Sequence, residues 1–171
     1  MKKAKEYRDR GKTVYSNVAL NFPYKQLDYK EIVDCKLKDG IVILDEIHQL
    51  LPARGSGSNK ISKKICDGFL SMVRKKGLVI YGTTQTSRKV DIRFREETDY
   101  YYVCQKYGHI NKIWGSIPHD QNLNKDIPIM IRLDVQEIFS GKWLEISFIA
   151  NKYFNMFDTK QIIQVKGLDD G

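Results

Sequence analysis

Cysteine is sparse and unmatched in this chain. Cys35, Cys66 and Cys104 are odd in number, far apart and without any C-x-x-C spacing, which argues against a disulfide framework and a zinc site and fits a reducing cytoplasm. Histidine is as scarce. His48, His109 and His119 show no ligand spacing, and no cysteine has a histidine within a motif, so metal or thiol catalysis is not expected from them. No apolar run approaches the ~20 residues that a membrane helix needs, and the N-terminus MKKAKEYRDR lacks the apolar segment of a secretory signal. A soluble, cytoplasmic protein without direct membrane insertion is the expectation. Internal repeats and long low-complexity segments are missing too.

A complete phosphate-binding loop is also lacking. Gly11-Lys12-Thr13 reproduces the last three letters of G-x-x-x-x-G-K-[ST], but Glu6 stands where the first glycine belongs, and its carboxylate would repel a phosphate. Residues 2–10 read as a charged helix capped by Gly11, and the β-branched, aromatic run TVYSNVAL reads as a strand. The order is therefore helix, glycine, strand. A phosphate loop needs strand, glycine, helix, so that the helix N-terminus faces the anion. The Gly-Lys-Thr is read as a decoy.

What is present is an ordinary globular composition: 171 residues, 42% hydrophobic and 29% charged, enough for one domain with a sizeable core. Lys plus Arg outnumber Asp plus Glu by 29 to 21, a net charge of +8 that favours a polyanionic partner, although a merely basic surface would look the same. In DYKEIVDC, Asp28 and Glu31 have capping-box spacing and suggest a short helix. Asp39-Gly40 then turns the chain into IVILDE, whose apolar run fits a strand buried on both faces. After the loop LPARGSGSN, the residues Ile61, Ile65, Phe69 and Val73 recur at helical spacing up to Gly77. LVIYGTT reads as a second buried strand ending at Gln85, and SRKVDIRFREETD leads into the strand YYYVCQK. That alternation predicts a parallel α/β sheet over 1–106. Over 107–171, strands at Ile110–Trp114, Ile127–Ile138 and Trp143–Ala150 read as antiparallel additions to the same single domain.

Ligands of open parallel sheets sit beyond the carboxyl ends of the strands, where Asp45, Glu46, Thr84 and Gln85 fall. An acid directly after an apolar strand can hold the water shell of Mg²⁺ on a nucleotide, and a second acid beside it can orient or deprotonate water. Asp45 and Glu46 suit those roles, and Gln85 suits sensing of the γ-phosphate or the water. The plainer alternative for the acidic pair is a helix N-terminus that favours negative charge. Arg54, Arg88, Arg93 and Arg95 are candidates for a transition-state arginine, each equally an ordinary exposed arginine. Lys60, Lys63 and Lys64 can contact DNA phosphates or form a solvated helix face. Tyr100 to Tyr102 alternate across a strand, with base stacking the other reading.

The segments GIVILDEIHQLLPAR, VRKKG and LVIYGTTQTSRKVDIRFREETDYYYVC, in that order, resemble the P-loop motor ATPases of the FtsK/HerA superfamily, especially archaeal-virus and plasmid packaging-type and Zot-like ATPases. RGKTVYSNVALNFPY is similar to their second strand and YFNMFDTKQII to their closing segment. The resemblance implies a RecA-like, largely parallel P-loop NTPase sheet flanked by helices, binding ATP and Mg²⁺. It makes ILDE the Walker B strand and TTQ the sensor strand, with Asp45 on the metal through water, Thr84 beside the nucleotide, and Glu46, Gln85 and Arg95 catalytic. It also implies DNA as partner, a homo-oligomeric ring such as a hexamer, and capsid or membrane-associated assembly proteins. In the family a Walker A strand and loop precede the first helix, whereas this sequence starts inside that helix, and truncation of the gene is the expectation. The alternative is a non-catalytic nucleic-acid-binding or assembly module that keeps the fold.

Overall fold

The structure is a computed structural model that describes residues 1–53, 63–107, 130–138, 140–149 and Met156. The chain divides into two compact units, Met1–Glu97 with Asn155–Gly171, and Thr98–Phe154. Among the described residues no helix is long and apolar enough to cross a membrane.

The first unit is built on a four-stranded, wholly parallel sheet in the order β2-β1-β3-β4, with β1 Thr13–Ser16, β2 Lys25–Gln26, β3 Gly40–Leu44 and β4 Leu78–Gly82. All five residues of β3 are buried, as a continuous apolar run between two parallel neighbours should be. Its side chains reach a core formed by Tyr15, Leu27, Ile32, Leu37, Leu51, Ile65 and Phe69. At about 1.5–3 kcal/mol for each fully buried aliphatic or aromatic side chain, this cluster outweighs the local propensities of its short elements.

The helix α1, Lys2–Asp9, is almost entirely charged and buries only Ala4. It stops at Gly11, whose φ of +73° is the left-handed turn that glycine adopts at little cost, and Gly11 N donates to Arg8 O at 2.8 Å. The helix α2, Tyr29–Val33, starts on Asp28, whose carboxylate accepts from Lys30 N at 2.8 Å. Glu31, expected to close a capping box, instead pairs with Lys25 Nζ at 2.7 Å, because β2 brings that ammonium within reach. The helical segment 63–72, α3, has its centre Ile65–Leu70 wound as a π-helix and buries Ile65, Cys66 and Phe69, while Ile61 lies outside the described residues. A last short helix, α4 Ile92–Glu96, follows β4.

The second unit contains a separate antiparallel sheet, β5-β6-β7, with β5 Tyr100–Tyr107, β6 Met130–Glu137 and β7 Trp143–Ile149. This corrects one expectation: YYYVCQK pairs antiparallel with β6 and does not join the parallel sheet. Its side chains show why. Tyr100, Tyr102 and Val103 are exposed, as are Trp143 and Leu144 of β7, so neighbouring residues on both faces meet solvent, which the buried strands of parallel sheets avoid. The β6–β7 hairpin turns at Gly141, φ +65°, as FSGK suggested. The expected strand Ile110–Trp114 lies outside the described residues.

Close packing of β3 on β1 makes Gly40 irreplaceable. A Cβ there would lie 2.1 Å from the carbonyl oxygen of Thr13, whereas one at Gly68 meets nothing within 4 Å. Gly40→Ala is expected to cost about 3 kcal/mol or more. Gly68→Ala, in a helix, should stabilise by about 0.5–1 kcal/mol. Urea unfolding of both variants checks the contrast; equal midpoints would remove the close approach as a constraint.

Candidate active site

Parallel pairing gathers the carboxyl ends of β1, β3 and β4 at one edge, where Asp45 falls level with Thr83 and Asn17 stands one residue behind, opposite Leu44. Asn17 is buried and clasps Asp45 by its backbone: Asp45 N donates to Asn17 Oδ1 at 2.8 Å, and Asn17 Nδ2 donates to Asp45 O at 2.9 Å. On the other side the Thr83 hydroxyl donates to Asp45 Oδ1 and accepts from Glu46 N at 3.2 Å. The ladder carries on through Thr83 N to Leu44 O and Ile47 N to Thr83 O, both at 2.9 Å.

Held in this way, Glu46 adopts φ 50°, ψ 49°, a left-handed conformation that costs a non-glycine residue about 1 kcal/mol or more and persists where surrounding bonds over-determine it. The turn directs its side chain toward the short 3₁₀ segment Ile47–Gln49. Glu46 Oε2 lies 3.1 Å from His48 Nδ1, yet out of line for a hydrogen bond, so this enclosed oxygen has no hydrogen-bond partner among the described residues. The same ring nitrogen lies 3.4 Å from Thr84 Oγ1, whose own hydroxyl donates to Thr86 O at 3.1 Å.

Gln85 follows in the same loop and is exposed, with Oε1 accepting from Lys89 Nζ at 3.4 Å. His48, Pro52, Ala53, Arg88 and Lys89 line an open recess of about 410 Å³ beside it. Arg95 is half-buried on α4, its Nε donating to Val90 O at 3.2 Å. Arg93 is committed elsewhere: it binds Asp91 through Nε at 3.1 Å and Nη2 at 2.8 Å, and Asp67 through Nη1 at 3.3 Å. Lys63 and Lys64 are exposed at the start of α3, while Lys60 and Arg54 lie outside the described residues.

Gly11-Lys12-Thr13 lacks the strand–glycine–helix order of a phosphate loop. Gly11 ends a helix, Thr13 opens a strand, and the Lys12 ammonium is paired with Asp39 at 2.6 Å. No group of three or more His, Cys, Asp or Glu able to hold a metal occurs among the described residues. A lone strand-end carboxylate such as Asp45 suits Mg²⁺, which keeps waters and takes phosphate oxygens for its other ligands.

The structure thus brings Asp45, Glu46 and Thr84 together and places Gln85 in the adjoining loop. Sequence reasoning missed Asn17 and His48 and gave Thr83 no role. A signal existed: each apolar strand is followed at once by a small polar residue, in YSN, ILD and YGT, as strand ends that share one site would be.

Among solved structures, the crystal structure of the N-terminal domain of zonular occludens toxin from Neisseria meningitidis is similar to this chain with a TM-score of 0.56 and 17% identity, over 86% of this chain and 80% of that one. The genome packaging NTPase B204 from Sulfolobus turreted icosahedral virus 2, in complex with ATP-gammaS, has a TM-score of 0.49 and 10% identity over 83% of this chain and 85% of that one. No family model and no curated protein matches the sequence. The mixed α/β architecture expected from the sequence, a parallel sheet with a separate antiparallel one, is the fold this chain shares with the zonular occludens toxin domain.

Two predictions concern the site's framework. Asn17→Ala leaves the Asp45 peptide N–H and C=O without their clasp and is expected to cost about 1–3 kcal/mol, read as a lower urea midpoint. Asp91, which caps α4 by accepting from Arg93 N at 2.9 Å, has its carboxyl held below the usual 3.8 by its hydrogen bonds from the Arg93 guanidinium, against the opposing effect of burial. A carboxyl depressed in the folded state contributes stability above its unfolded pKa and loses it as pH falls through the folded value. The wild-type chain should therefore lose stability below about pH 4, and Asp91→Asn should flatten that loss, checked by denaturation at neutral pH and about pH 3.

Proposed function

We propose that this chain carries the metal-and-water half of the catalytic core of an ATP-hydrolysing motor that translocates DNA, in the packaging or transfer of viral or plasmid DNA. The observation behind this reading is the pair Asp45–Glu46 at the carboxyl end of the central strand β3, locked to Thr83 of the neighbouring strand β4. Two acids held in that position can divide the work of hydrolysis. Asp45 holds the water shell of the nucleotide's Mg²⁺, and Glu46 orients the attacking water and takes its proton. Gln85, with Thr84 before it, contacts the γ-phosphate or the water from the next strand. Arg95 acts across to a neighbouring copy in a ring, taken as a hexamer, and stabilises the charge that builds on the transferred phosphoryl group. The net charge of +8 favours DNA as the cargo, with Lys60, Lys63 and Lys64 as phosphate contacts. Capsid or membrane-associated assembly proteins are the further partners of such a motor.

The reading is tested by phosphate release. In a preparation that turns over ATP, Glu46→Gln should lower turnover by about 10²–10⁴-fold while ATP affinity stays within about twofold, because an amide still forms hydrogen bonds but cannot act as a base. Equal loss of binding and turnover would make Glu46 structural. These 171 residues by themselves, without a G-x-x-x-x-G-K-[ST] segment, should show no turnover above background. Turnover by them that vanishes in Asp45→Ala would place the entire site within this chain. Absence of ATP binding would favour the alternative, a non-catalytic nucleic-acid-binding or assembly module.

A further inference from the structure

A buried carboxylate oxygen without a hydrogen bond is uncommon in a folded protein and calls for a reason. Glu46 Oε2 is such an atom, and the imidazole of His48 stands 3.1 Å from it, misaligned. The other neighbour of His48 Nδ1 is Thr84 Oγ1 at 3.4 Å. The Thr84 hydroxyl spends its proton on Thr86 O, so it offers Nδ1 only a lone pair, and the Glu46 carboxylate likewise only accepts. Both neighbours being acceptors, the tautomer consistent with them carries its proton on Nδ1. His48 is half-buried, and its own segment is anchored by Ile47 N to Thr83 O at 2.9 Å and by the buried Ile47 side chain. The ring is thus fixed at its base, with one donor shared between the acid after β3 and the loop after β4.

We propose that His48 is a positioning residue that couples the loop 84–86 to Glu46. When that loop shifts, Thr84 Oγ1 moves relative to Nδ1, the imidazole turns, and its N–H aligns on Glu46 Oε2. The carboxylate then gains its missing hydrogen bond and is held in one orientation toward the water. Contacts of this kind are often long or poorly aligned without substrate and tighten in the reacting complex. The coupling rests on the proposed role of Glu46 as the base, and it adds a route by which contact of Gln85 and Thr84 with the terminal phosphate reaches that base.

Three measurements test it. First, long-range ¹H–¹⁵N spectra of this chain should show neutral His48 protonated at Nδ1, and Glu46→Ala should shift the balance toward the Nε2–H form. An Nε2–H ring in the unaltered chain would overturn the proposal without any recourse to activity. Second, in a preparation that turns over ATP, His48→Ala should lower kcat at least about tenfold with ATP affinity unchanged. His48→Gln should restore most of it, since the amide nitrogen supplies two N–H donors where the ring supplied one. Equal kcat in His48→Ala and wild type, with Glu46→Gln inactive, would remove His48 and leave the role of Glu46 standing. Unchanged turnover in both His48→Ala and Glu46→Gln would overturn the reading beneath it as well. Third, Thr84→Val should lower kcat, and the double variant with His48→Ala should fall no further than the more damaged single one, because both act through one contact. Additive losses would show independent roles and sink the coupling.

Discussion

The constraint on which the rest depends is the parallel pairing of β1, β3 and β4 in a register that sets Asp45 level with Thr83 and Asn17 one residue behind, opposite Leu44. Parallel strands deliver their carboxyl ends to one edge, and there the ladder ends with peptide groups that still need partners. Two side chains meet that need. The Asn17 amide takes both the N–H and C=O of Asp45, and the Thr83 hydroxyl takes Glu46 N while donating to the Asp45 carboxylate. Completing the sheet and orienting its two acids are therefore the same act.

The same bonds explain how Glu46 tolerates a left-handed backbone. Asp45 and Glu46 are neighbours in sequence, and two extended residues in succession would send their side chains to opposite faces of the sheet. The turn at Glu46 breaks that alternation and carries its carboxylate toward Ile47–Gln49 and the ring of His48. Backbone strain of about 1–3 kcal/mol at a site of paired acids is the kind of cost that persists where geometry serves chemistry.

Part of the charge on the described surface is settled locally. Lys3 pairs with Glu6, Lys12 with Asp39, Lys25 with Glu31 and Lys36 with Asp34, and Arg93 lies between Asp91 and Asp67. The exposed lysine pairs contribute little to stability, whereas Arg93 holds the buried Asp91. The arginines after β4 divide by role: Arg93 braces α4 against α3, while Arg88 lines an open recess with Lys89 and His48.

Much of this was legible in the amino-acid order, because burial on both faces leaves a mark that needs no partner to read. IVIL announced a central strand, Gly11 after a charged run announced a helix end, and the acids directly after IVIL marked that strand's carboxyl end; LVIY, expected as a second buried strand, is instead the edge strand β4, with Val79 exposed and Ile80 and Tyr81 half-buried. The helix, glycine and strand around Gly-Lys-Thr were also readable, since their order is a local property. What depended on distant residues could not be read. YYYVCQK has the composition of a strand in either kind of sheet, and only its pairing with β6 made it antiparallel. Asn17 and Thr83 are 28 and 38 residues from Asp45, so their hold on it exists only once three strands share a register. His48 stands two residues from Glu46 in sequence, but its contact with that carboxylate follows from a backbone turn that the tertiary hydrogen bonds of Thr83 impose. Local sequence determined which segments are buried and where they end; long-range pairing decided which of those ends meet.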